Sequence, residues 1–89
     1  MTDTIVSATY RGHRYVIRVY PDPEAADGWG GEYAELDVDG RLEYWTPVVE
    51  LGALLRRPPR SAAEAVRSVK LEIIAMHEVL SRFFPGRYE

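Results

Sequence analysis

Apolar and polar residues alternate along the first half of the chain and recur at helical spacing near its end. Residues 4–10 and 14–20 are rich in β-branched and aromatic side chains, which is typical of strands. Gly12 lies between the two runs and can take the positive φ of a tight turn. These residues therefore predict two antiparallel strands at the start of the domain.

A second hairpin is predicted over residues 32–46. Residues 32–38 alternate, and Asp39–Gly40 is a strong signal for a two-residue type I′ turn before a return strand over residues 41–46. We expect the apolar set to face the core, namely Tyr15, Ile17, Val19, Ala34, Leu36 and Val38. The open face would then carry Tyr33, Glu35, Asp37, Glu43 and Trp45.

The helical spacing is confined to the C-terminal third. Ser61 and Glu64 fit a capping box, in which the serine hydroxyl accepts from the glutamate amide and the glutamate reaches back. An apolar stripe follows, formed by Ala62, Val66, Val69, Ile73, Met76, Leu80 and Phe83. Pro85 and Gly86 would end this helix after about 23 residues, or roughly 34 Å.

Together these elements predict one α+β domain over residues 1–89. Its fold would be a three- to four-stranded antiparallel sheet covered on one face by a single long C-terminal helix. Residues 47–60 carry no clear period, so they predict either a short helical turn or an extended connection. The composition is that of a globular chain, with 46% apolar and 28% charged residues.

Leu71 and Ile74 depart from a simple amphipathic helix. At 100° per residue they fall opposite the apolar stripe, beside Arg67 and Glu78. Two neighbouring apolar side chains on the outer face predict a helix–helix contact between two copies of the chain. The alternatives are ordinary exposure or a contact with residues 48–55 of the same chain.

The charge is unevenly distributed. Between Asp22 and Glu50 the chain has nine acidic residues and one basic residue, Arg41. A solvated acidic surface is one interpretation; the other is a docking surface for a basic protein, since opposite potentials favour encounter. The second interpretation predicts a non-catalytic binding module whose partner-binding residues are Tyr33, Glu35, Asp37, Glu43 and Trp45.

A local basic cluster offers an alternative function. Arg56, Arg57, Arg60 and Arg67 straddle the connection and the first half of the helix, as expected of a nucleic-acid-associated domain. The acidic residues of the hairpin would repel phosphate, so contact with nucleic acid through the sheet is disfavoured.

Side chains with catalytic or metal-binding chemistry are few. There is no cysteine, and the two histidines are His13, in a predicted turn, and His77, at the rim of the helix stripe. Neither has a second histidine three or four residues away, so we predict no metal site, no cofactor and no catalytic residue. A small enzyme is a third alternative, and it would need a pocket that shifts the pKa of an acidic side chain.

No apolar run is long enough for a membrane-spanning helix and no signal peptide is visible. We therefore expect a cytoplasmic chain without a membrane partner.

The chain resembles HicB-type antitoxins in two places. Gly30, Gly31, Tyr33 and Ala34 resemble the family's glycine–tyrosine opening after its first strand, with one extra residue, Glu32. Ser61, Glu64 and Ala65 resemble its helix start. The resemblance implies a bacterial, partial double-stranded-RNA-binding-like fold that plugs a small basic ribonuclease toxin. The family's Pro-Asp-Leu-Pro-Gly segment is replaced by "LDVDG". We expect a domain of this type without the family's C-terminal DNA-binding segment.

Overall fold

The computed structural model describes residues 2–88 as a sheet with one helix packed on it. The four strands follow one another in space in the order in which they occur in the chain, and every pairing is antiparallel. The elements are β1 (Thr4–Tyr10), β2 (His13–Pro21), β3 (Trp29–Glu35), β4 (Thr46–Val48) and α1 (Ala62–Leu80). The predicted α+β fold is confirmed.

The turn between β1 and β2 sets which side chains face the helix. Arg11 and Gly12 both have positive φ, 49° and 83°, as a two-residue turn of the I′ kind requires. The register that follows pairs Tyr10 with His13 and Ala8 with Tyr15. His13 and Tyr15 are two residues apart on β2, so their side chains point to the same side of the sheet, where Tyr15 is buried.

The predicted orientation of β3 is wrong by one residue. Glu35 pairs with Tyr15 and Tyr33 with Ile17, so Tyr33 and Glu35 face the helix. Ala34 pairs with Val16 on the opposite face, where it is buried outside the main core.

Gly31 explains this choice of face. It pairs with Val19, and a Cβ built on it would lie 3.0 Å from Leu51 Cδ2 and 3.2 Å from Val69 Cγ2. The missing side chain of Gly31 therefore leaves the space that Leu51 fills, and this fixes Tyr33 and Glu35 on the same side.

The second hairpin also differs from its prediction. Its turn runs from Asp37 to Arg41; the Gly40 amide donates to the Asp37 carbonyl at 3.0 Å, and Gly40 alone in this turn has positive φ. The loop is thus three residues long and not a two-residue type I′ turn. Because β3 ends at Glu35, Val38 lies in the turn and is 95% exposed. The return strand shortens to an isolated bridge at Leu42 and to β4.

Helix α1 begins as predicted, but the Glu64 carboxylate bonds to residues other than Ser61. The Ser61 hydroxyl accepts from the Glu64 amide at 3.2 Å. The Glu64 carboxylate accepts from the Arg60 amide, one residue before the N-cap, and from both terminal nitrogens of Arg57 at 2.6 and 2.7 Å. The hydrogen bond from Arg57 lowers the Glu64 pKa to about 2. The N-terminus of α1 is therefore tied to the connection that precedes it.

The helix ends earlier than the proline and glycine predicted. It stops at Leu80 with Ser81 as the C-cap, and residues 81–87 form turns. Phe83 no longer follows the helical period, so it is 71% exposed instead of continuing the stripe. Gly86, with φ of 89°, lies in the turn that precedes Arg87.

The core lies between the sheet and α1, with one contribution from the connection. Val66, Val69 and Ile73 of the predicted stripe are buried against Ile17 and Val19. Residues 49–60 form turns rather than a helix, and Leu51 from this segment is fully buried. The segment is anchored by the Gly52 amide on Asp27 and by the Trp29 indole, which donates to the Pro59 carbonyl at 3.0 Å.

None of the helices within residues 2–88 combines the length and apolar character needed to cross a membrane.

Candidate functional site

The two histidines, which are distant in sequence, lie side by side at the C-terminal end of α1. His13 is the first residue of β2, and His77 projects from α1 onto the sheet; their ring centroids are 4.8 Å apart and nearly perpendicular. The prediction that His77 lies at the rim is wrong, because it is 0% exposed. Its position four residues after buried Ile73 was a signal in the sequence that it faces the sheet.

Burial favours the neutral state of His77, and its hydrogen-bond partners select the tautomer. Its Nδ1 lies 3.2 Å from the Tyr88 carbonyl oxygen, which only accepts, so Nδ1 carries the proton. The Tyr15 hydroxyl then donates to Nε2 at 2.5 Å. Burial lowers the His77 pKa below its ordinary value, and burial followed by the charge of Glu35 raises the pKa of Tyr15. Both shifts favour the uncharged pair.

His13 is bonded between two acceptors. Its Nδ1 lies 3.1 Å from Glu35 Oε2, and its Nε2 lies 2.6 Å from the Arg87 carbonyl oxygen. Side-chain exposure is 16% for His13 and 29% for Glu35, so the pair is largely shielded from water. Both histidines thus bind consecutive carbonyls of the chain that follows α1.

Tyrosine rings enclose the histidines. Tyr88 stacks on His13 with centroids 5.3 Å apart and planes within 8°, and it meets His77 edge-on. Tyr10 packs edge-on against His77 from β1 at 4.9 Å. We call this group the His–Tyr cluster; its members are Tyr10, His13, Tyr15, Glu35, His77 and Tyr88. Sequence reasoning missed the cluster because its members come from four separated segments.

A cleft of about 180 Å³ opens beside the His–Tyr cluster. It lies between the second hairpin, the last turns of α1 and the segment after α1. We call it the acidic cleft; its lining is Tyr15, Tyr33, Glu35, Glu43, Tyr44, Thr46, Met76, Leu80, Arg87 and Tyr88. The Tyr33 hydroxyl donates to the sulfur of Met76 at 3.4 Å, so this tyrosine bridges sheet and helix at the cleft.

Two further depressions share Tyr33 with the acidic cleft, and one extends it along α1 and the other along β4. Glu72 lines both, and Glu50 lines the one nearer the connection. Burial and then the carboxylate of Glu72 raise the Tyr33 pKa above its ordinary value of 10. The whole groove therefore carries four carboxylates, with Arg87 as the one cation among its lining residues.

The predicted partner-binding residues do not share one surface. Tyr33, Glu35 and Glu43 line the acidic cleft, and Asp37 lies in the hairpin turn, where its carboxylate accepts from the Asp39 and Arg41 amides. Trp45 lies on the opposite side, with the Arg18 guanidinium 5.3 Å from its ring. The prediction of an open face that carries all five is wrong, whereas three of the five do come together.

The face of the sheet away from α1 carries paired charges. Arg18 forms ion pairs with Glu32 and with Asp3, and its guanidinium lies near the rings of Tyr20 and Trp45. This face is therefore not uniformly acidic, because an arginine is held at its centre.

The four arginines of the basic cluster differ in their surroundings. Arg57 is bound by both oxygens of Glu64, whereas Arg56, Arg60 and Arg67 are exposed. Arg56 has a positive φ of 62° and lines a depression that also contains Asp27 and Glu50. Carboxylates therefore accompany this basic patch.

Leu71 and Ile74 are both only partly exposed. Ile74 borders a groove of about 310 Å³ between α1 and β1, together with Lys70, Ile73 and Tyr10. The described residues 2–88 contain no group of three or more histidine, aspartate or glutamate side chains placed to hold a metal ion.

The chain was compared with models of protein families, with curated proteins and with solved structures, and none of the three comparisons gives a match.

Proposed function

We propose that this chain is a non-catalytic binding module that docks a basic, extended segment of a partner protein in the acidic cleft. The observation that carries this proposal is the lining of the groove, where four carboxylates stand beside tyrosine rings and only one cation lines the walls. Carboxylates bind arginine through charge-assisted hydrogen bonds, and aromatic faces attract cations.

The size of the cleft supports a side chain of a peptide as its ligand. The cleft itself measures about 180 Å³, less than the roughly 300–1,000 Å³ of pockets for drug-sized molecules, and it continues into two open depressions of about 360 and 440 Å³ along α1 and β4. A groove of this form accommodates one inserted side chain with the flanking peptide lying along the surface.

The bonding of the histidines supports binding over acid–base catalysis. A catalytic base needs a nitrogen within hydrogen-bond reach of a substrate. Each ring nitrogen of His13 and His77 is already bonded within the chain. The resemblance to HicB-type antitoxins supports the same class of partner, a small basic protein.

The test is a titration with an arginine-rich peptide, compared with the same peptide in which glutamine replaces every arginine. We expect only the arginine peptide to bind, with an affinity that falls as salt rises. Glu43→Gln should weaken binding about two- to fivefold, the factor of one exposed ion pair. Asp39→Asn removes an exposed acid outside the cleft and is the matched control. Equal binding of both peptides, or equal losses in both variants, would contradict the proposal.

A nucleic-acid-associated role is the second proposal, and the exposure of Arg56, Arg60 and Arg67 favours it. It requires a gel shift that weakens steeply between about 50 and 200 mM salt, because phosphate contacts release counterions. Charge reversal of these three arginines should abolish that shift and leave peptide binding intact.

Dimerisation through Leu71 and Ile74 is a separate proposal. Replacing both residues with lysine should lower the mass measured by light scattering if this face joins two copies. An unchanged mass would rule the face out.

A further inference from the structure

The two edges of the sheet differ in how they are protected from pairing with another strand. At one edge, β4 has three residues, and Pro47 in its middle has no amide proton to donate. At the other edge, β1 has seven residues without a proline or a charge, and it pairs with β2 along its whole length. Within residues 2–88, no segment pairs with the outer side of β1. A long, regular edge of this kind is a template for a further strand.

The turn between β1 and β2 determines which backbone groups of β1 are free. In a two-residue turn the flanking residues, here Tyr10 and His13, form a hydrogen-bonded pair, and such pairs alternate along the strands. Every second residue of β1 therefore directs its amide and carbonyl away from β2. These residues are Ile5, Ser7 and Thr9, and all three are exposed.

A groove opens beside this free edge on the helix side of the sheet. It measures about 310 Å³ and is lined by β1 from Ser7 to Tyr10 and by Lys70, Ile73 and Ile74 of α1. A strand added to β1 would therefore pair with the free backbone groups and also cover this groove.

We propose that β1 pairs with β1 of a second copy of this chain, antiparallel and with the two Ser7 residues opposite each other, which joins the two four-stranded sheets into one. In this register Ile5 lies opposite Thr9 of the second copy, so the free amides and carbonyls of both edges gain partners. It is the one register in which β1 residues pair solely with β1 residues. The inference deepens the proposal that the chain dimerises and is independent of peptide docking in the acidic cleft.

Charges at the ends of β1 are complementary in this register. Asp3 precedes β1 and Arg11 follows it, so the pairing places Asp3 of each copy beside Arg11 of the other. Both residues are exposed, and Asp3 has an ion pair with Arg18 at 3.9 Å, near the limit for such a contact. Opposite charges on neighbouring strands stabilise the pairing, and the twofold symmetry repeats this contact at the other end.

The outer face of α1 carries a second complementary pattern. Arg67 lies four residues before Leu71, and Glu78 lies four residues after Ile74. Two antiparallel copies of this face therefore place each arginine opposite a glutamate and each leucine opposite an isoleucine. Ile74 and Ser7 line the same groove, so a twofold axis between the two Ser7 residues also relates the two helix faces.

Backbone pairing forms the main contact of this interface, and the helices flank it. Helix α1 packs on Ile17 and Val19 of β2, and the two β2 strands of the joined sheet would be three strand spacings apart, about 14 Å. Closely packed helices are about 8–10 Å apart. The long side chains of Arg67 and Glu78 therefore span the distance between the helices, above the joined β1 strands.

The test is a disulfide between two copies of the folded chain, which has no cysteine of its own. Ser7→Cys places two cysteines directly opposite each other, with Cα atoms about 5.5 Å apart, a separation that a disulfide spans. Thr9→Cys is the matched control on the same exposed edge, because its two copies would be about 14 Å apart. With oxidised glutathione we expect a covalent dimer from Ser7→Cys and not from Thr9→Cys. Denaturant should remove this difference.

Light scattering gives a second readout. The wild-type chain should have twice the mass of one chain, and Ser7→Pro should have the mass of one, because it removes a free edge amide and no bond to β2. Asp3→Arg should weaken the dimer, and adding Arg11→Asp should restore it; aspartate tolerates the positive φ of position 11.

Several results would overturn the proposal: a wild-type chain with the mass of one copy, no covalent dimer from Ser7→Cys, or equal cross-linking of both cysteine variants. A dimer that lysine at positions 71 and 74 disrupts, but that Ser7→Cys does not trap, would place the contact on α1 and also overturn the strand pairing. The acidic cleft contains no residue of β1, so failure here is distinct from failure of peptide binding.

Discussion

The two ends of the interface between α1 and the sheet bury different kinds of side chain. Near the start of α1, Val69 packs on Val19 and Leu51, and these residues are fully buried and apolar. Near its end, His77 is equally buried but bonds to Tyr15 and to the Tyr88 carbonyl. Apolar burial is non-directional and insensitive to protonation, whereas a buried hydrogen-bonded group depends on geometry and on pH.

Under the proposed function, this difference assigns stability to one end of the interface and ligand docking to the other. The apolar end stabilises the fold through buried apolar side chains. At the polar end, carboxylates and tyrosines line the acidic cleft. The same end holds the segment after α1, whose carbonyls bond to the two histidines. Changes at the two ends should therefore have different signatures.

The largest expected effect is at the apolar end. Leu51→Ala removes a fully buried side chain from between Gly31 and Val69, and it should lower the free energy of unfolding by about 2–5 kcal/mol. Denaturant unfolding measures the loss, which should be the same at pH 7.5 and pH 5.5. A loss below about 1 kcal/mol would mean that the connection does not pack as described.

A smaller effect is expected at the polar end. His77→Leu leaves the buried Tyr15 hydroxyl without its acceptor, which costs about 1–3 kcal/mol of unfolding free energy. Adding Tyr15→Phe removes that orphaned group, so the double variant should lose less than the sum of the two single variants. Strict additivity in this double-mutant cycle would show that the two side chains do not interact.

The smallest effect concerns pH. Because the His77 pKa is lowered in the folded chain, the unfolded chain binds a proton more readily below about pH 6.5, and stability must fall as the pH drops through that range. Between pH 7.5 and pH 5.5, the free energy of unfolding should therefore fall more for the wild-type chain than for the His77→Leu variant. Equal losses in the two chains would assign the acid sensitivity to other groups.

Local signals predicted the elements, and a non-local contact decided the site. The β-branched and aromatic residues of β1 and β2, the glycine at position 12 and the Ser61 cap each act within a few residues, so the sequence alone places them correctly. The facing of β3 depends on Leu51, twenty residues beyond Gly31, which fills the space that this glycine leaves. Tyr33 suits either face, since it has an apolar ring and a polar hydroxyl.

The candidate site was predicted only in part for the same reason. Acidic and aromatic residues of the second hairpin were recognised from charge, and Glu35, Glu43 and Tyr33 do line the cleft. Neighbours in sequence supply no partner for either histidine, because their partners come from β2, β3 and the chain after α1. Segments brought together only by tertiary packing leave no spacing pattern to read.

The most direct test of the central claim is to map where an arginine-rich peptide binds, by side-chain nuclear magnetic resonance signals. If the acidic cleft between the second hairpin and α1 is the docking site, the ring signals of Tyr33 and the methyl signals of Met76 and Leu80 will shift on titration, and the indole signal of Trp45 will not. Shifts confined to Trp45 and the Asp37 turn, with Tyr33 and Met76 unchanged, would contradict the account.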